Sequence, residues 1–349
     1  MTPSRPIRSR IEEMWYSERR PLWLAPLSAL YGILMSVRGL LYRLGLRHRV
    51  KVGVPVVVVG NLTVGGTGKT PLVAWLASRL AEVGLKVAIV SRGYGGRARG
   101  VTRVTVHSRP SEVGDEPLLL ARRAQATVFI GRDRVAAAKV AVADQADIVL
   151  CDDGLQHLAL VRNCEIAVVD GQRGFGNGCL LPRGPLREGP GRLRRVSAVV
   201  MNGAVTAPGF QLPGFVKHTL FSMRMIAGDA RPVAGQGALR SLASFRGAGV
   251  HGVAAIGNPQ RFFDMLRAAG LTVYEHPMPD HHPFKPGDLN FGDDLPVLMT
   301  EKDAVKCASF ADARCWYVPV TAGFPDGEAE KLIELVLARV QAFKVARDG

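Results

Sequence analysis

Residues 60–71, GNLTVGGTGKTP, set Gly65, Gly66 and Gly68 immediately before Lys69 and Thr70. Glycines free the backbone to wrap a phosphate with its N–H groups, a lysine supplies countercharge, and a threonine hydroxyl suits Mg²⁺. The strict GxxxxGK[ST] spacing fails at Thr63, where the first glycine would stand. The whole segment Thr63, Val64, Gly65, Gly66, Thr67, Gly68, Lys69 and Thr70 is nevertheless a candidate nucleotide-phosphate loop, and Pro71 suits a first helical turn. Downstream, DIVLCDDGLQH ends an apolar run on Asp152 and Asp153. Acids at that position hold Mg²⁺ directly or through water in phosphoryl-transfer sites, although Asp-Gly is also a common turn. Gln156 and His157 on the same turn are candidates to orient a substrate.

Other segments are ambiguous from residue type. SRGYGG, residues 91–96, sets Arg92 and Tyr94 among glycines. GDEP puts Asp115 and Glu116 ahead of LLLARRA, the arrangement of an ordinary helix N-cap. PDHHPF places His281 and His282 beside Asp280 between prolines, in a stiff loop.

These residues need a scaffold that brings them to one edge. Apolar β-branched runs at 54–60, 86–91, 147–152 and 164–170 alternate with helical stretches at about 70–83, 116–125 and 132–144. That alternation predicts a parallel sheet with helices on both faces, whose carboxyl edge binds ligands. Residues 171–195 are too rich in Gly, Pro and Arg for regular structure and read as a long basic loop. After a strand at 196–203, the Pro/Gly-rich stretch 204–214 reads as a linker. A smaller α/β unit follows, with runs at 252–257 and 295–300 and a closing helix at about 327–345. The expected division is a basic arm and apolar helix at 1–50, a P-loop NTPase-like domain at 51–210 and a smaller C-terminal α/β lobe at 211–349.

The chain has 349 residues, 47% of them hydrophobic, and Lys plus Arg exceeds Asp plus Glu to give a formal charge of +15. Disorder is excluded and anionic partners are favoured. Nucleic acid is not expected, because the arginines are scattered and no recognition module is visible. The five cysteines form no CxxC pair, which points to a reducing cytoplasm, and no zinc-like His/Cys spacing is present. Residues 21–37, PLWLAPLSALYGILMSV, carry no charge, follow Arg19 and Arg20, and precede Arg38, Arg43, Arg47 and Arg49. A spanning helix wants about 20 residues. The run therefore reads as a helix lying on an anionic membrane surface, with Leu27, Leu30, Leu34 and Leu41 on one side and Trp15, Trp23, Tyr31 and Tyr42 as boundary aromatics; a buried core helix and a single short span are the alternatives.

Read in order, GNLTVGGTGKTP, SRGYGG, GDEP, DDGLQH, LLPRGPLRE, AIGNPQRFF, DHH and TEKDAVK resemble the tetraacyldisaccharide 4'-kinase family. The resemblance implies transfer of the ATP γ-phosphate to the 4'-hydroxyl of a tetraacylated glucosamine disaccharide 1-phosphate, in lipid A biosynthesis, at the cytoplasmic face of the inner membrane. It turns Asp115 from a cap into a catalytic acid/base paired with His281. It gives Lys69 the β and γ phosphates, Asp153 a catalytic role, and Thr70, Asp152 and Glu116 a part in holding Mg²⁺. Arg92, Arg132, Arg134 and the loop 182–188 become candidate substrate contacts. A membrane-bound switch ATPase is the competing reading; the lysine that such proteins carry two residues before the second motif glycine is replaced here by Val64.

Overall fold

The computed structural model describes residues 11–348 apart from 12, 18, 19 and 236. Arg19 and residues 1–10 of the basic arm therefore lie outside the described residues. The sheet begins with β1 (Val56–Gly60), β2 (Val87–Ser91), β3 (Thr102–Val104), β4 (Thr127–Ile130), β5 (Ile148–Asp152), β6 (Cys164–Asp170), β7 (Ala198–Asn202) and β8 (Leu220–Ala227). Every residue of β1, β2 and β5 is buried, as expected of Val/Ile-rich strands in a parallel sheet covered on both faces. β1 is central, parallel to β5 on one side and β6 on the other. The covering helices include α2 (Lys69–Glu82), α3 (Asp115–Arg123) and α4 (Arg134–Ala143), the last capped by Asp133, whose carboxylate accepts from the Val135 and Ala136 amides. Leu72, Leu76 and Leu80 of α2 pack on one face, and Ala137, Ala138 and Ala141 of α4 pack on the other.

The chain then builds a second, five-stranded sheet from β9 (Arg231–Pro232), β10 (Gly249–Ala254), β11 (Thr272–Pro277), β12 (Val297–Thr300) and β13 (Cys315–Val318), ordered β11-β10-β12-β13-β9. Helices α5 (Pro259–Ala268) and α6 (Glu301–Cys307) belong to this lobe. The chain finally returns to the first sheet as β14 (Val320–Gly323), antiparallel to β8, and ends in α7 (Glu328–Asp348). The first sheet thus has nine strands in the order β14-β8-β7-β6-β1-β5-β2-β4-β3.

This topology corrects the expected division at residue 211. β8 pairs parallel to β7, and Leu332, Val336 and Val340 of α7 lie in the same core cluster as α2. The smaller lobe is an insertion at 231–318 between the last two strands of the first sheet. Composition marks 204–214 as a break, but that stretch is a crossover within one sheet, and β8 pairs with β14 across the whole insertion, which no local pattern announces.

Residues 171–195 are irregular, as expected, apart from the short 3-10 helix Pro190–Arg195, and they are tied down. Pro185 O accepts from the Val64 amide at 2.8 Å and the Arg187 amide donates to Leu62 O at 2.6 Å, so the loop clamps the residues after β1. The N-terminal helix α1 (Ala25–Arg43) lies on that clamp: Ser28 Oγ donates to Leu180 O at 2.9 Å, and Tyr31 OH donates to Arg187 O at 3.1 Å. Its other side is open, with Leu27, Leu30, Ile33, Leu34, Val37 and Leu40 all exposed, whereas Leu41 is half-buried. Trp15 and Tyr31 are not free boundary aromatics, because Trp15 Nε1 donates to Pro182 O at 2.8 Å and Tyr31 faces Arg187.

Because α7 closes the first core, Leu332→Ala removes a fully buried side chain from that core and is expected to cost about 2–5 kcal/mol. Urea denaturation followed by circular dichroism checks this; a loss confined to the smaller lobe is the contrary result.

Candidate active site

The loop between β1 and α2 owes its shape to glycine. Gly65 and Gly68 have φ of +109° and +91°, and a Cβ on Gly68 would lie 2.3 Å from Asn202 Nδ2. That amide donates to Thr67 O at 2.9 Å, so the end of β7 braces the loop. Asn61, wholly buried, donates to Gly65 O at 3.4 Å and accepts from Lys69 Nζ at 3.1 Å. Thr63, the departure from the P-loop pattern, forms an antiparallel bridge with Leu186, so its backbone is engaged by the clamp where the motif glycine would stand. Opposite, a Cβ on Gly257 would lie 2.4 Å from the Gly66 amide nitrogen. The AIGN turn of the smaller lobe therefore packs directly on the phosphate loop.

β5 ends beside this loop, and its two acids stand in opposite electrostatic surroundings. Asp152 is buried and its Oδ1 has no hydrogen-bond partner. Burial first, and then the nearby Glu116 carboxylate, push its carboxyl up to about 7. Asp153, at φ 51°, accepts from Arg187 at 2.9 and 3.1 Å and lies 3.5 Å from Lys69 Nζ. Burial works against its charge, but Lys69 and Arg187 hold it well below the usual carboxylate range. Gln156 accepts from Arg187 at 3.3 Å and donates to Glu188 at 2.9 Å, so it locks the clamp. His157 does not line the cleft; its Nε2 is buried without a partner, and burial, followed by Arg134 and Arg162, lowers it to about 4.

Among the described residues no three His, Cys, Asp or Glu side chains converge as a metal cage. Mg²⁺ needs none, since it keeps water and phosphate oxygens and takes one or two carboxylates. The orphaned Asp152 oxygen fits that demand, and Thr70 lines the same cleft. Glu116 fits it less well, because its Oε1 is taken by Lys302 Nζ at 3.0 Å.

The second cluster joins the two lobes. Asp115 begins α3, but Gly114 occupies the N-cap position and no side chain caps the helix there. Freed from capping, Asp115 Oδ2 meets Nδ1 of His281, 166 residues away, at 3.1 Å. His281 sits at φ 62° in the loop after β11, with the Tyr94 ring 4.9 Å away. His282 turns away and bonds Asp288 at 3.0 Å, so the two histidines of the run have separate partners. Two lysines that sequence reasoning left without a role complete the cluster. Lys302 Nζ is 4.0 Å and Lys306 Nζ 3.8 Å from Asp115 Oδ2. Their i, i+4 spacing in TEKDAVK puts them on one side of α6, which is the available sequence signal. Burial opposes the Asp115 charge, but the His281 hydrogen bond and the lysines prevail and bring the carboxyl down to about 2.

Both clusters reach one cleft of about 630 Å³, lined by Lys69, Thr70, Asp152, Asp153, Glu116, His281 and Lys302 among others, whereas Asp115 itself is buried and does not line it. Arg92, Arg134 and Arg187 also line it; Arg132 is exposed and does not.

A family model described as LpxK, tetraacyldisaccharide-1-P 4'-kinase, matches residues 20–341. The chain belongs to this family. The tetraacyldisaccharide 4'-kinase of Alkalilimnicola ehrlichii is 50% identical over 343 residues, which is 96% of this chain and 98% of the relative. That of Aromatoleum aromaticum is 49% identical over 314 residues, covering 89% and 92% of the two chains. A crystal structure of Aquifex aeolicus LpxK in complex with ATP superposes with a TM-score of 0.75 at 28% identity, covering 91% of this chain and 98% of that one. The 4'-kinase family match spans the phosphate loop, both acid clusters and most of α7 alike.

The lowered Asp115 value has a consequence with a definite sign. A carboxyl depressed in the folded state stabilises above its unfolded value, about 3.9, and loses that contribution as pH falls through about 2. Asp115→Asn is expected to lower stability by about 2 kcal/mol at neutral pH, with the difference from wild type shrinking by about half between pH 5 and pH 3. Denaturation of both proteins across that range checks it; a pH-independent difference contradicts the charge pairing.

Proposed function

We propose that the cleft transfers the γ-phosphoryl group of ATP to the 4'-hydroxyl of a tetraacylated glucosamine disaccharide 1-phosphate. The observation that carries this reading, beside membership of the kinase family, is the Asp115–His281 pair, in which His281 lines the same cleft as the Lys69 loop and holds the buried Asp115 carboxylate next to that wall. A sugar hydroxyl must lose its proton as phosphoryl transfer proceeds, while positioning and charge stabilisation supply most of the rate. Asp115, kept anionic, accepts that proton, and His281 holds the carboxylate in place. Backbone amides of Gly65 to Lys69 cradle the phosphates, and Lys69 exchanges Asn61 and Asp153 for the β and γ oxygens. Asp153 and Arg187 form a pair that keeps Lys69 and the 182–188 clamp aligned with the loop. Asp152 and Thr70 would hold Mg²⁺, which supplies countercharge to the β and γ oxygens. Arg92 and Arg134, which line the cleft, are cationic contacts for an anionic glycolipid.

The N-terminal helix supports a membrane-surface location at the cytoplasmic leaflet, where ATP and lipid meet. Leu22–Arg43 has a mean hydropathy of 1.5 and only 11% of it is buried, so by length and composition it is apolar enough to cross a membrane. Its docked side is fixed along the protein, however, by Ser28, Tyr31 and by Arg38, which donates to Gln156 O at 2.8 Å. A helix held lengthwise in this way, with one apolar side open and Arg43, Arg47 and Arg49 at its end, suits insertion at the headgroup level of anionic lipid.

The detergent-solubilised chain incubated with γ-labelled ATP, Mg²⁺ and the tetraacyldisaccharide 1-phosphate is expected to place label on the lipid, and Lys69→Ala to abolish it. Asp115→Ala and His281→Ala should lower turnover about 10²–10⁴-fold with ATP binding largely retained. Phosphate released to water with the lipid untouched favours a switch ATPase instead.

Leu30 and Leu34 are 52% and 60% exposed, so the double substitution Leu30→Glu, Leu34→Glu should leave the melting temperature unchanged while reducing sedimentation with anionic vesicles. Unchanged sedimentation contradicts the interfacial helix.

A further inference from the structure

We propose that Lys302 is a positioning residue that holds His281 in one neutral tautomer, with the ring proton on Nδ1 and directed at Asp115. The inference rests on the assignment of Asp115 as proton acceptor made above. Lys302 Nζ lies 3.0 Å from Glu116 Oε1, 3.4 Å from Asp280 Oδ1 and 3.4 Å from His281 Nε2. An ammonium offers three donors and no acceptor, so the imidazole nitrogen that meets it must present a lone pair. Nε2 is then unprotonated, and the proton of the neutral ring is on Nδ1, where Asp115 Oδ2 accepts it at 3.1 Å.

The other protonation states are worse matched to these neighbours. Moving the proton to Nε2 sets an N–H against the ammonium and a lone pair against the Asp115 carboxylate. The imidazolium keeps the Asp115 bond and faces Asp280 Oδ1 at 3.7 Å, but it brings a second positive charge to 3.4 Å from Lys302 Nζ. Nor can the lysine readily withdraw. It sits on the first turn of α6, whose cap Thr300 accepts from the Asp303 amide at 3.2 Å, and Asp303 in turn accepts from the Ala255 amide at 2.9 Å. Lys306, one turn on, donates to His282 O at 3.3 Å and fixes the loop from the other side.

The arrangement decides where the substrate proton stops. Nδ1 already carries a proton, and Nε2 has the Lys302 ammonium at 3.4 Å, nearer than the Asp280 carboxylate at 3.7 Å, so His281 is not set to take the substrate proton from Asp115. In the transfer the sugar O–H bond breaks and its proton passes to Asp115. The hydroxyl oxygen bonds the γ-phosphorus, and the bond to the β–γ bridging oxygen breaks with its electron pair leaving on ADP. Lys302 touches neither reacting atom and acts through His281 and Glu116.

The test uses the full chain in detergent with ¹⁵N-labelled histidine, read by long-range proton–nitrogen spectra at pH 7 and assigned by loss of the signal in His281→Gln. Wild type is expected to show Nδ1 protonated and Nε2 unprotonated. Lys302→Met should lose that single tautomer and lower kcat about tenfold to a hundredfold, with KM for ATP within about twofold. Lys302→Arg should recover the tautomer and most of kcat. A wild-type proton on Nε2, or on both nitrogens, overturns the proposal, as does Lys302→Met that retains the wild-type tautomer. Should Lys302→Met fail to fold, the wild-type spectrum alone decides. A wild-type chain that transfers no phosphate would defeat the kinase reading while leaving the tautomer measurement intact.

Discussion

Strands β1 and β5 run parallel with Val59 in register with Asp152, so both leave the sheet at the same edge. From that pairing the phosphate loop and the acid pair become neighbours without any further device. The strands can be so aligned because they are apolar on both faces and covered by helices on both. The loop after β1 then has little room. β7 braces it through Asn202, the 180–188 clamp holds it through Pro185 and Leu186, and the AIGN turn presses on Gly66. Glycines at 68 and 257 answer that crowding, and Gly65 supplies the left-handed turn at φ +109°.

Charge is distributed over this edge with little to spare. Asp153 is satisfied by Lys69 and Arg187, and Asp115 by His281 with two lysines nearby, whereas Asp152 keeps an oxygen without a partner. Buried carboxylates are costly unless paired, so adjacent acids with opposite surroundings are fitted for different tasks. Asp153 is an internal counterion. Asp152 is the acid whose surroundings leave room for a cation.

The insertion of the smaller lobe between β8 and β14 explains how the second cluster is assembled. β10, β11 and β12 deliver the AIGN turn, His281 and Lys302 to the edge already occupied by α3. Arg123 of α3 pairs with Glu301 at 2.9 Å and donates to Val320 O, tying the lobe to the strand that returns to the first sheet. α1 and the basic loop complete the opposite wall, which places an exposed apolar surface beside a cationic cleft. An amphiphilic acceptor with a phosphate is matched by that juxtaposition.

Much of this was legible in the chain. The Val/Ile runs announced buried parallel strands because their β-branched residues have no solvent side, and GNLTVGGTGKTP announced a phosphate loop because its glycines and lysine serve the same chemistry wherever they follow a strand. The charge-free 21–37 run announced an apolar helix with an open side. Tertiary structure decided matters that depend on contacts between distant segments. Asp115 read as a helix cap because local type favours that role, and only the arrival of His281 from the inserted lobe gives it another. Asp152 and Asp153 are adjacent and alike in sequence; their difference comes from Arg187 and Lys69 reaching one and from burial beside Glu116 for the other. The boundary at 211 misled because β8 pairs with β14 across the whole inserted lobe, and pairing across an insertion is invisible to composition. The two lysines of TEKDAVK acquire a role only when α6 is laid against α3, since a lysine's chemistry is set by the acids it meets.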